Sequence, residues 1–577
     1  MSAFQFEQLD QVESNDESHS RSLLQIAISE AFALLNVGAQ QEAISRIKQY
    51  QDPAARSDAG CYIFGLVHFN AEDLRHALMW FDRALALRPA FPEALSARAI
   101  VLQRLGQPED ALESFEALLE LRPQDAEALF NMGVVLQSLG RMAEALVTYE
   151  KVLYRSPAHC EALTNRGALL ERFGRHEEAL ACFSAIETIK PGDSANLFNK
   201  GSVLRKLGRL EDALAAYEDA ARRGPPDAET ELNRGNVLQK LGRLEEALAA
   251  YDLSSRYRCD YPQALYNKGI ALQGLGRLRE AFAAYDAVLA LDPCHYEASC
   301  NRGNVLYELG HLGDALAAFT STLKIRPGFL PALTNRANIL LQLGHAEEAA
   351  RSCTEAFRHA PGHPKILGIQ GAALHKLGRL DNALAVLDEA VRLDPAAPDA
   401  WLNRGNVLQE LDRLPEAAAC YEEALRLKTH YPEALSGLGV ALKEMGRIDE
   451  SLVNFDEALK YQPGFADARN NRAGALLIKG SLEAGFEDFE SRWNRSNAPL
   501  KTVVLDSPKW TGQKLAGRTI IVWDEQGLGD LIQFSRYMLC LTEAGADVTL
   551  LCRKNMHRLL HTLLKPVRLI DALLISS

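Results

Sequence analysis

The sequence predicts an all-α chain, a superhelical solenoid of about fourteen 34-residue helix pairs that runs into a short, incomplete α/β segment. Three observations carry this expectation. One glycine recurs every 34 residues, a small residue and an aromatic follow it at fixed offsets, and near residue 500 the period stops and a strand-like run begins. A period of this length marks stacked supersecondary units, each burying its apolar face only against its neighbours.

Composition bounds the alternatives. The 577 residues are 47% hydrophobic, 24% charged and 7% aromatic, which excludes a collagen, a wholly disordered chain and a disulfide scaffold. With 63 Lys and Arg against 76 Asp and Glu, the net charge of −13 offers no basic field to gather nucleic acid or anionic lipid, so protein partners are expected. No apolar run approaches the ~20 residues of a membrane span. Ten cysteines between Cys61 and Cys552 include no CxxC pair, and Cys182, Cys353 and Cys420 fall in apolar helical stretches. They read as free, buried thiols of a cytoplasmic protein, with no metal site. Residues 1–23, with five acids and no Lys or Arg before Arg21, read as an acidic disordered tail.

The array is expected over residues 24–499. Its glycines are Gly106, Gly140, Gly174, Gly208, Gly242, Gly276, Gly310, Gly344, Gly378, Gly446 and Gly480, with Gly38 also in phase and Glu72 and Asp412 standing in the two remaining places. Five residues on comes alanine, from Ala43 to Ala417, with Ser451 and Gly485 as exceptions, and four further an aromatic such as Phe81, Tyr149, Tyr251 or Phe455. Proline closes most units eight residues later, as at Pro89 and Pro463. In residues 228–261 the apolar Leu232, Val237, Leu238 and Leu241 keep helical spacing and Gly242 ends the first helix. A second helix then begins near Leu244, with Ala247 small for close approach and Tyr251 filling the gap between units. Proline stops it, because proline lacks an amide donor and disfavours helix in the residue before it. This 34-residue pair, with its glycine, alanine, aromatic and proline columns, resembles the tetratricopeptide repeat, and the resemblance implies a concave groove suited to extended ligands.

Nine residues before the repeat glycine stands asparagine, at Asn131, Asn165, Asn199, Asn233, Asn267, Asn301, Asn335, Asn403 and Asn471, with misses at Ala97, Ile369 and Gly437. Asparagine is unfavourable inside a helix, so the column needs a positional reason. Either each amide bridges to a neighbouring helix, or the ladder grips the backbone of an extended peptide. A basic residue follows in eight units (Arg166, Lys200, Arg234, Lys268, Arg302, Arg336, Arg404, Arg472), free to be solvated, to pair with repeat acids, or to clamp an acidic peptide C-terminus. The column is similar to the asparagine ladder in the repeats of protein O-linked N-acetylglucosamine transferases, which implies peptide binding along the inner groove.

After a polar connector at 500–517, residues 518–577 change pattern. TIIVW at 519–523, the loop DEQGLGD, a helix from Leu531 to about Ala544 stopped by Gly545, VTLLC at 548–552 and a further run near Val567–Ile570 predict a strand–helix–strand, Rossmann-like opening. GLGD matches neither GxGxxG nor a P-loop. His557 and His561 lack the acid of a metalloprotease motif and read as chance. The string DEQGLGDLIQFSRYMLCL resembles the start of the catalytic domain in bacterial proteins that join tetratricopeptide repeats to a heptosyltransferase-like glycosyltransferase. That resemblance implies a general-base role for Asp530, beside its simpler reading as a helix N-cap. The donor-binding lobe of that family lies beyond what these residues cover, so a nucleotide sugar is expected only under the enzyme reading and no other cofactor is. The expected function is a scaffold binding peptide segments in its groove. The alternative is a repeat-containing glycosyltransferase, and the C-terminal segment could also mediate homo-oligomers.

Overall fold

A computed structural model describes residues 15–494, 510, 512–523 and 528–571. Two compact units divide the chain, Met1–Asn335 and Arg336–Ser577. Among the described residues fourteen helix pairs follow in order, from Asn15–Asn36 with Gln40–Lys48 to Ala466–Lys479 with Leu482–Phe489, and in both units each pair packs on the next.

The pair Ala228–Lys240 and Leu244–Tyr257 shows why the sequence folds so. Asp227 caps the first helix, its carboxylate accepting the Thr230 amide at 2.8 Å. Leu232, Val237 and Leu238 are buried against the second helix and the neighbouring pairs. At the far end Gly242 takes φ +77°, its amide bonds Gln239 O at 3.0 Å, and the Arg243 amide reaches Leu238 O at 2.9 Å. That is a Schellman closure, which needs a residue in the left-handed region and therefore favours glycine. The same closure recurs along the glycine column. Glu72 and Asp412, in the two places without glycine, are driven into the same region at φ 63° and 58°.

Ala247 and Tyr251 are fully buried, as their columns required. A second glycine column decides how. A Cβ at Gly235 would lie 2.5 Å from Tyr251 Cε1, and Gly133, Gly269 and Gly405 stand in the same relation to Tyr149, Tyr285 and Tyr421. The aromatic thus lies on the glycine of its own first helix as well as in the gap between units: a Cβ at Gly437 of the following pair would also lie 2.7 Å from Tyr421 Cε1.

Two features differ from the sequence expectations. The first helix begins at Asn15, so residues 15–23 of the expected tail are helical; residues 1–14 lie outside the described residues. Residues 500–509 and 511 of the connector also lie outside them. In the last segment, β1 (Thr519–Trp523), the helix Leu528–Glu543, β2 (Asp547–Cys552), the helix His557–Leu563 and β3 (Arg568–Asp571) form a parallel sheet in the order β1-β2-β3, with Thr519 opposite Asp547 and Thr549 opposite Arg568. The strands and the Gly545 stop fall where the pattern put them, whereas the first helix starts three residues before Leu531. β2 is buried along Val548–Cys552, as a central parallel strand covered on both faces should be. No described helix is long and apolar enough to cross a membrane.

Candidate functional site

All nine column asparagines sit at one phase of the first helices and all are half-buried, neither core nor free surface. The amides of Asn165, Asn267, Asn301 and Asn335 bond from unit to unit. Asn267 Nδ2 donates to Asn236 Oδ1 at 2.6 Å, and Asn335 Nδ2 to Asn304 Oδ1 at 2.7 Å, each bond joining successive first helices. Asn165 Nδ2 donates to the Tyr149 hydroxyl of the preceding pair and Asn301 Nδ2 to that of Tyr266, both at 3.2 Å. The buried tyrosines extend the network from below: Tyr251 Oη shares its one proton between Asn236 Oδ1 at 3.0 Å and Gln239 Oε1 at 2.7 Å, and Tyr421 Oη does the same with Asn406 and Gln409. Burial drives these phenols upward, Tyr149 to about 12, so they stay protonated donors at neutral pH.

These four asparagines therefore bridge helices through their side chains. An asparagine amide carries two donors and an acceptor with two lone pairs, and each of these bonds engages one donor. Gln263 Nε2, on the same helix, donates to Asn267 Oδ1 at 3.1 Å, tying that acceptor into the row. The result is a row of oriented amides along the first-helix face.

The basic column does different work. Each of its eight residues pairs with an acid: Arg166 with Glu150, Lys200 with Glu187, Arg234 with Glu231, Lys268 with Asp252, Arg302 with Asp286, Arg336 with Glu355 and Arg404 with Asp388. Arg472 lies between Asp456 and Asp488, both at 2.6 Å, and the bond to Asp488 raises its already high pKa. A carboxylate clamp built on these bases would first have to break those pairs. Arg166 and Arg404 also donate to Cys182 and Cys420 Sγ, at 3.1 and 2.9 Å. Cys182, Cys353 and Cys420 are buried, and burial holds the Cys353 thiol up at about 12, far from a reactive thiolate.

Where the asparagine column lapses at Ala97, the first-helix face opens into a cleft of about 300 Å³ walled by Tyr62, Leu66, Phe69, Ile100 and Leu118, with Arg122 at its edge. The fold also brings together His68, Asp73 and His76, three residues that the column analysis did not single out.

In the α/β segment, Asp530 lies inside the first turn of Leu528–Glu543, so it is a helical residue instead of the residue preceding the helix, as the N-cap reading required. Its side chain lies outside the described residues, as do residues 524–527 of the loop. His557 Nε2 is 3.3 Å from Cys552 O, a local contact, and His561 is exposed.

Comparison with known proteins agrees with the repeat phase. The model of the tetratricopeptide repeat matches residues 96–159 and 198–256, and that of the cilia and flagella-associated protein 70 C-terminal domain matches 263–496. Protein FlbA of Caulobacter vibrioides is 32% identical over 69 residues, 12% of this chain, and the match spans 12% of that relative's length. Among solved structures, the tetratricopeptide protein TTC0263 of Thermus thermophilus is 30% identical, covering 32% of this chain and 99% of its own at a TM-score of 0.29. YrrB, described as having an unusual peptide-binding site, is 23% identical over 32% of this chain and 95% of its own, with a TM-score of 0.30. The Cut9–Hcn1 assembly is 14% identical over 78% of this chain and 96% of its own, with a TM-score of 0.39. With its 34-residue phase, its helix pairs packed in order and these repeat-model matches, the chain is a tetratricopeptide-repeat protein.

Proposed function

We propose that the array is a protein-interaction scaffold that binds extended peptide segments along the row of amides on its first-helix face. The observation that carries this is the half-buried state of all nine column asparagines at one phase, with the bonds described leaving each amide further donor or acceptor capacity. Amides read a peptide backbone whatever its side chains, which suits a ligand of varied sequence. The test replaces Asn199, Asn233, Asn267 and Asn301 together by alanine and measures binding to an immobilised library of random-sequence peptides alongside the melting temperature. Weakened binding with a modest fall in stability is expected, since each lost inter-helix amide bond contributes about 0.5–1.5 kcal/mol. A large fall in melting temperature with peptide binding unchanged would assign the column to structure alone.

A second reading rests on the parallel strand–helix–strand order of β1, Leu528–Glu543 and β2, which suits the opening of a sugar-transferring domain once another lobe supplies the donor. In it the repeats recruit an acceptor and Asp530 takes the proton of the attacking hydroxyl. Nucleotide release from a sugar donor that disappears in Asp530→Ala supports this reading, and no release from any donor offered refutes it for this chain. β1 and β3 each pair on one side only among the described residues, so the proposal extends to self-association through these edges, measured by sedimentation.

A further inference from the structure

The corner between the helices Asp58–Asn70 and Leu74–Leu87 breaks three columns of the array at once. Four residues before the repeat glycine every other unit carries leucine, from Leu34 and Leu102 to Leu442 and Leu476; this unit has His68. One residue after the glycine, arginine is the commonest residue, as at Arg141 and Arg243; here it is Asp73. Four after the glycine the column is acidic in eleven units, as at Glu144 and Glu246; here it is His76. Elsewhere the last two columns form an exposed ion pair, such as Arg243 with Glu246 at 2.6 Å. At this corner they are replaced by a carboxylate and an imidazole, and a second imidazole takes the place of a core leucine.

The fold converges these three side chains. Asp73 occupies the N-cap of Leu74–Leu87 but makes no side-chain cap bond. Its carboxylate turns instead to the imidazoles, with Oδ2 3.1 Å from His68 Nδ1 and 2.9 Å from His76 Nδ1. The two rings stack at 5.4 Å between centroids, 29° apart in plane, and one donor atom from each residue falls within 4.8 Å of the others. A tetrahedral ion with bonds of about 2.0–2.1 Å holds its donors about 3.3 Å apart, so small side-chain shifts would admit one. His68 is buried and Asp73 half-buried, while His76 is 61% exposed, which leaves the remaining coordination position to water.

We propose that His68, Asp73 and His76 form a binding site for one divalent transition-metal ion of the zinc class. Two imidazole nitrogens and a carboxylate oxygen select such an ion over magnesium or calcium, which prefer all-oxygen shells. The site is independent of the peptide-binding reading. It is tested on the full chain with the exposed thiols of Cys259, Cys294 and Cys540 alkylated, because thiolates bind zinc themselves. Zinc chloride is titrated calorimetrically into this protein and into His76→Ala, His76→Gln and Asp73→Asn. One equivalent is expected in the parent, with affinity at least about 100-fold weaker in each variant, since loss of even an outer-shell partner costs about 10–100-fold. The melting temperature should rise with zinc in the parent alone. His76 is exposed, so its variants should fold as the parent does. Equal zinc binding in the parent and all three variants, or none in the parent, overturns the site and leaves Asp73 as a simple hydrogen-bond partner of two histidines.

Discussion

The repeat pairs and the three-stranded segment bury their apolar groups in opposite ways. In the pairs each contact is a member of a column: Tyr251 on Gly235 is repeated by Tyr149 on Gly133, Tyr285 on Gly269 and Tyr421 on Gly405. In the sheet each contact exists once, and β2 alone carries Val548, Leu550 and Cys552 into a core closed by Leu531, Met538 and Leu560. A periodic array spreads the cost of one bad contact over nearest-neighbour terms, whereas a single small core has no second copy to lean on.

The largest expected effect follows from that difference. Leu550→Ala, at a residue 1% exposed, should cost about 2–5 kcal/mol and open residues 510–571 to protease, with most of the far-ultraviolet helical signal intact. Loss of the helical signal together with the sheet would show that the two regions fold as one. Next, Gly235→Val drives a side chain into Tyr251 and should cost about 1–3 kcal/mol, read as a broadened melt of the array and little change in protease sensitivity at 510–571.

The left-handed closures sharpen the comparison within the array. Gly242→Ala should lose about 1–2 kcal/mol in chemical denaturation. Asp412→Gly, at φ 58°, should gain up to about 1 kcal/mol, reduced by the greater freedom of glycine in the unfolded chain. A loss at position 412 would mean that the Asp412 side chain contributes more than its backbone costs.

A smaller, pH-dependent effect lies at Glu231, which stands in a mostly leucine column and is 5% exposed, with Arg234 Nη2 at 3.0 Å. Burial raises its pKa above 4.5, with Arg234 opposing. The folded state thus holds the proton more tightly than the unfolded chain, so the contribution of Glu231 is full below the unfolded value and is lost as pH rises through the folded one. Glu231→Gln should therefore gain stability relative to the parent as pH increases from about 4 to 7. Melting curves of both proteins across that range check it, and a parallel pH dependence would contradict the buried-charge account. The smallest change is Arg243→Ala, which removes an exposed, solvent-screened pair with Glu246 and should leave the melting temperature nearly unchanged.

The sequence by itself determined the period, the helix pairs, the glycine that ends most first helices, and the strand–helix–strand order after residue 518. These follow from backbone sterics and the spacing of apolar residues, which act over a few positions of chain. Tertiary structure decided the polar columns. Asn267 meets Asn236 across 31 residues, Asn301 meets Tyr266 across 35, and the eight bases find acids in their own or neighbouring helices. It also decided that His68, Asp73 and His76 converge and that Gly235 receives the Tyr251 ring. The reason is physical: an apolar side chain needs only a buried face, but a polar one is defined by partners within about 3 Å, and those partners are set by how successive helices are juxtaposed.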